Sequence, residues 1–99
     1  MTIPEFMLKS GIPVHLSGYG EVEMMLQESI KNPENNFGTL LKTIPHDVAD
    51  NGRTVRYAIK MGFPNMDKNL KKQLFGDVEK VSAHRYIKTV ALAIRNNLI

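Results

Sequence analysis

The chain has 99 residues, 42% hydrophobic and 23% charged, a length and balance that predict one globular domain over residues 1–99. It contains no cysteine, which excludes a disulfide framework, a thiolate metal site and a cysteine nucleophile. No apolar run approaches the roughly 20 residues that span a bilayer, and the opening MTIPEFMLKSG carries an acid and no signal-like apolar stretch. No membrane contact and a cytoplasmic location are therefore expected.

In chain order, Thr2 and Pro4 open a helix over Ile3 to Ser10, which Gly11 ends as a left-handed cap. Ile12 precedes Pro13 and so reads as extended, starting a short crossing with Ile12, Val14 and Leu16 on one face. Ser17 or Gly18 then precedes a helix from Tyr19 to Lys31, whose stripe is Val22, Met25, Leu26, Ser29 and Ile30, and Asn32-Pro33 stops it. Asn35 or Asn36 caps a third helix, Phe37 to Thr43. Pro45 starts a very short fourth, Pro45 to Asp50, with Val48 and Ala49 inward. Asn51-Gly52 is a strong turn signal, and the next helix runs from Arg53 to about Met61 before Gly62 and Pro64. Met66 to Phe75 is a lysine-rich helix closed by Gly76. After a short connection, Ser82 caps a final helix with Ile87, Val90, Ala91, Ile94 and Leu98 on one face. The expected fold is all-α, about six short helices, and the pair 45–50 and 53–61 reads as a helix-turn-helix.

Its second helix carries the candidate site. Arg53, Arg56, Tyr57 and Lys60 recur at i, i+3, i+4 and i+7 and share one face, while Val55, Ala58 and Ile59 fall opposite. Such a helix can rest on a core and offer cations to phosphates or guanine edges, which is where this motif places its groove-reading residues. A solvated charged face is the plain alternative. The charge distribution favours a polyanion. Residues 1–50 hold three Lys/Arg against seven Asp/Glu, whereas residues 51–99 hold ten against three, which together give the net +3.

Beyond these patterns, Gly11-Ile12-Pro13-Val14-His15-Leu16-Ser17-Gly18-Tyr19 resembles the opening "G-[IV]-P-A-H-I-K-G-Y" of the C-terminal effector domain of the sporulation stage-zero response regulators. Ile44-Pro45-His46-Asp47-Val48-Ala49 is similar to that family's "L-Y-P-D-I-A", and Val55-Arg56-Tyr57-Ala58-Ile59-Lys60 to its recognition-helix "V-E-R-A-I-R". Leu74-Phe75-Gly76 recurs before a connection, and Tyr86-Ile87-Lys88-Thr89-Val90-Ala91 resembles "E-F-I-A-M-V-A", so the likeness runs in order from about Ile3 to Leu98. It implies a helical domain that binds duplex DNA through the major groove, with DNA-facing positions at Arg53, Thr54, Arg56, Tyr57 and Lys60 and no catalytic activity. Arg56 and Tyr57 stand where the family has glutamate and arginine, which implies a different base preference. The family also joins its two motif helices through several more residues than Asp50-Asn51-Gly52 supplies, and the likeness does not extend to the receiver domain that normally precedes the effector.

Other constellations carry little chemistry. His15, His46 and His84 lack the i, i+4 spacing of helical zinc ligands. Glu21 and Glu23, two apart on a helix, point to different faces, against a paired-carboxylate device. No serine has a histidine and an acid in useful spacing, and Gly18-Tyr19-Gly20 lacks the third glycine of a dinucleotide loop. No enzyme, metal or cofactor is expected. Lys68, Lys71 and Lys72 keep a helix soluble, and with Arg85 they can supply phosphate contacts that fix register.

The sequence thus reads as a sequence-specific, double-stranded-DNA-binding transcriptional regulator. Arg56 and Lys60 contact base or phosphate, Arg53 and Thr54 bind phosphate beside the helix start, and Tyr57 packs on the sugar-phosphate edge. A monomer of this size would gain from pairing, so a homodimer on two half-sites is part of the expectation. The rival reading is a protein-interaction module that kept the fold and lost DNA binding, favoured by the short turn, the acidic first half and the methionines.

Overall fold

A computed structural model describes residues 1–45 and 47–99; His46, and with it part of the helix expected over 45–50, lies outside the described residues. Among the described residues there are six α-helices and no strand: α1 (Ile3–Lys9), α2 (Ser17–Lys31), α3 (Phe37–Leu41), α4 (Val48–Gly62), α5 (Lys68–Phe75) and α6 (Ala83–Arg95). A single 3-10 turn, Phe63–Asn65, continues α4. None of these helices is long and apolar enough to cross a membrane.

The caps explain most boundaries. Thr2 and Glu5 form a reciprocal capping box on α1, with the Glu5 amide donating to Thr2 Oγ1 and the Thr2 amide to Glu5 Oε1. Those bonds hold the Glu5 carboxyl below its ordinary value. Asn36, Asp47, Asp67 and Ser82 each accept amide bonds at the starts of α3, α4, α5 and α6. At the far end of α6, Asn97 takes a positive φ of 55°. Its amide donates to Ile94 and that of Leu98 to Ala93, the paired bonds of a left-handed helix stop. That reversal turns Leu98 into solvent instead of along the α6 core face where the periodicity puts it.

The helices share one core. α2 runs against both α4 and α6, α1 lies on α2, and α5 closes against α6. At the centre Tyr86 meets Phe6, Phe63 and Phe75, with ring centroids 5.8 to 6.4 Å apart. Phe63 also stands edge-on to Phe75 at 5.3 Å. Such aromatic pairs add about 0.5–1.5 kcal/mol beyond their buried area. The Tyr86 hydroxyl is fully buried and has no hydrogen-bond partner among the described residues.

Two expectations fail here. The segment after Gly11 is not a one-faced crossing, because it turns at Val14 and His15, with the Leu16 amide donating to Pro13. Ile12 is therefore buried while Val14 is 68% exposed. Asn51-Gly52 is no turn, and the two helices expected at 45–50 and 53–61 are the single helix α4. The dipeptide signals a turn because glycine readily takes a positive φ, yet Gly52 does not take one. Instead the Asn51 side chain is buried, and its Nδ2 donates to the carbonyls of Leu41 and Ile44 at 3.4 Å each. Tertiary partners at the end of α3 thus override the local preference, and the helix-turn-helix with its turn at 51–52 is absent.

The Gly11–Gly18 segment is locked onto α4. A Cβ on Gly18 would sit 2.6 Å from both the Ala58 Cβ and the Thr54 carbonyl oxygen. Gly11, at φ +80°, lies so close that a Cβ would stand 2.4 Å from the Gly62 carbonyl oxygen, and one on Gly62 2.4 Å from Ile12. Gly18→Ala should accordingly lower stability by about 1–3 kcal/mol, the usual cost of overpacking, read as a lower urea midpoint at unchanged m-value. Tyr86→Phe should have the opposite sign. It deletes an unpartnered buried hydroxyl and should raise the midpoint by the equivalent of about 1 kcal/mol. Burial also pushes the Tyr86 phenol above its ordinary value of 10. The stability this group supports is present below that value and is lost as pH rises past it, because the unfolded phenol ionises first. Tyr86→Phe should flatten that alkaline decline in a denaturation series across pH.

Candidate functional site

α4 divides as its sequence predicts. Asn51, Gly52, Val55, Ala58, Ile59 and Gly62 face inward, while Arg53, Arg56, Tyr57 and Lys60 are exposed. The helix start does not divide that way. Because α4 begins at Val48, Arg53 and Thr54 lie in its second turn and not beside free amides, so the phosphate role expected of them from a helix start falls away. The first turn is acidic instead. Asp47 Oδ1 accepts the amides of Ala49 and Asp50, and Asp50 pairs with Arg53 across one turn. Thr54 is half-buried, its hydroxyl donating 2.7 Å to the Asp50 carbonyl. An exposed pair such as Asp50–Arg53, with the arginine side chain 74% open, contributes about 0–1 kcal/mol and leaves Arg53 easily recruited elsewhere.

Further cations stand toward the other end. Arg56 and Lys60 flank a crevice of about 500 Å³ that lies between the C-terminal half of α4 and the connection leading into α6. Lys80 joins them from that connection. The Arg56 guanidinium lies 5.3 Å over the Phe37 ring of α3, a contact that orders the side chain against the helix below it. Tyr57, next along α4, is 54% exposed and has no role in the core. Lys80 was not among the residues singled out by sequence. It falls in an aperiodic connection, and no spacing rule ties such a residue to a helix twenty positions earlier.

The second basic set is dispersed. Lys68 and Lys72 are exposed on α5, and Lys71 stands 4.5 Å over the Phe63 ring. Arg85, on α6, lies 5.9 Å over Phe75. None of the four lines the crevice with Arg56, Lys60 and Lys80. Lys88 is held elsewhere, donating to the carbonyls of Pro33 and Asn35.

The chain matches no family model, and neither a curated protein nor a solved structure is similar to it at a significant level. Asn51 links the site to the fold, since it secures the end of the short helix whose Phe37 backs Arg56. Asn51→Ala should strand two inward-facing carbonyls and cost about 1–3 kcal/mol. Thermal unfolding should register this as a Tm lower by roughly 4–8 °C per kcal/mol for a domain of this length.

Proposed function

We propose that the chain binds double-stranded DNA through the exposed C-terminal half of α4, as a small transcriptional regulator without catalytic activity. The observation that carries this reading is the row of exposed Arg56, Tyr57 and Lys60 on a helix whose other face is fixed in the core, with Lys80 lining the same crevice as Lys60. Such a helix is rigid enough to enter a groove, and its cations meet phosphates or guanine edges once there. Tyr57 packs on the sugar-phosphate edge, and Arg53 exchanges Asp50 for a phosphate. Lys68, Lys72 and Arg85 supply peripheral phosphate contacts. α3, which packs on α4, takes the place of the supporting first helix. The likeness of the chain to the sporulation effector domains points the same way, as does the basic balance of its second half. Two copies on neighbouring half-sites supply the affinity that one small module lacks.

The acidic first turn of α4 favours a second reading, in which the same face docks a protein partner. Asp47 and Asp50 repel phosphate where recognition helices most often meet it. One titration separates the two readings. Fluorescence anisotropy of labelled random duplex DNA should report salt-sensitive binding by the wild type. Roughly 0.9 is lost from the slope of log affinity against log salt for each phosphate contact removed. Arg56→Ala/Lys60→Ala should weaken binding more than tenfold and reduce the slope by about 2. Absence of binding even at low salt would remove the DNA reading and leave the protein partner.

A further inference from the structure

The crevice beside α4 has a composition that duplex DNA does not explain. Its floor is apolar, made by Ile59, Phe63, Pro64, Val81 and Ala83, with Ile59 and Phe63 continuous with the core. Its rim is cationic, with Lys60 and Lys80 against the single carboxylate of Glu79, while the guanidinium of Arg56 lies over Phe37. A phosphodiester is polar throughout and would meet the rim while leaving the floor uncovered. At about 500 Å³ the space lies within the range that small-molecule sites occupy, roughly 300–1,000 Å³, and shows their pattern of an apolar lining with a few placed charges.

We infer that this crevice is a binding site for a small amphipathic organic anion, an aliphatic or aromatic body carrying one carboxylate or sulfonate, whose head takes Lys60 and Lys80. The apolar body covers Phe63, Pro64 and Val81, and burial of that surface supplies most of the affinity. The head group supplies selection, because Lys60 and Lys80 against Glu79 leave one excess positive charge that a single anion offsets. A helical peptide is a poorer occupant. An α-helix with its side chains is about 10–12 Å across and needs anchor sites along several turns, whereas residues 56–64 and 79–83 enclose a short crevice. Lys60 is also assigned above to DNA, so the bound anion competes with DNA for it. That competition rests on the DNA reading; the site itself does not.

The test uses anilinonaphthalene sulfonate as a fluorescent probe, displaced in turn by decanoate, decanol and inorganic phosphate. Backbone amide shifts in two-dimensional NMR locate the probe. The expected result is displacement by decanoate alone, with shifts centred on Phe63, Val81, Ser82 and Ala83 and decanoate affinity at least tenfold weaker in Lys80→Glu. Equal displacement by decanol would overturn the inference by showing an uncharged apolar crevice. Displacement by phosphate as strong as by decanoate would overturn it by showing that the cations bind charge alone, and shifts centred on the exposed Leu8 or Leu92 would overturn it by placing the probe elsewhere. Decanoate added to the anisotropy assay should release labelled DNA from the wild type. A chain that binds decanoate but never DNA would retain the site and lose only the DNA reading.

Discussion

Everything near the candidate site depends on how closely the Gly11–Gly18 segment approaches α4. The backbone of that segment meets α4 closely, at Gly18 against the Thr54 carbonyl and the Ala58 methyl and at Gly11 against the Gly62 carbonyl. Side chains as small as alanine would separate them, so the position of α4 relative to α2 is set by van der Waals contact and not by adjustable packing. The aromatic cluster around Tyr86 fills the space behind Phe63, where α4 gives way to its 3-10 turn. The face carrying Arg56, Tyr57 and Lys60 is the outer side of a helix clamped along its inner side.

This gives the opening nonapeptide a physical meaning that differs from a binding motif. Gly11 and Gly18, toward the two ends of that stretch, both act as contact points for α4. Their lack of a side chain therefore sets how the helices cross.

The helices were largely legible because their signals are local. Side-chain caps at Thr2, Asn36 and Ser82, the left-handed Gly11 and the stripe of α2 act within a few residues, and each appears where its spacing puts it. The two faces of α4 were legible for the same reason, since 3.6-residue periodicity does not depend on where a helix starts. The start itself was not legible. Asn51-Gly52 has a strong local preference for a turn, and only the carbonyls of Leu41 and Ile44, ten and seven residues away, decide against it. Lys80 was missed for a related reason, because its place in the crevice lining is set by the packing of a connection that has no period.

The charges along α4 also link its stability to its surface properties. Asp47 and Asp50 stand at the end where aligned peptide dipoles leave positive charge, and Lys60 at the end where they leave negative charge. That polarity favours the helix, and Asp47 additionally caps it. A lineage that strengthened anion binding by replacing these acids with lysine would weaken the element that presents the cations. The C-terminal half can gain positive charge while improving the helix, and the N-terminal half cannot. Adaptation toward a tighter anionic partner is thereby channelled to one end of α4, the end that faces the crevice.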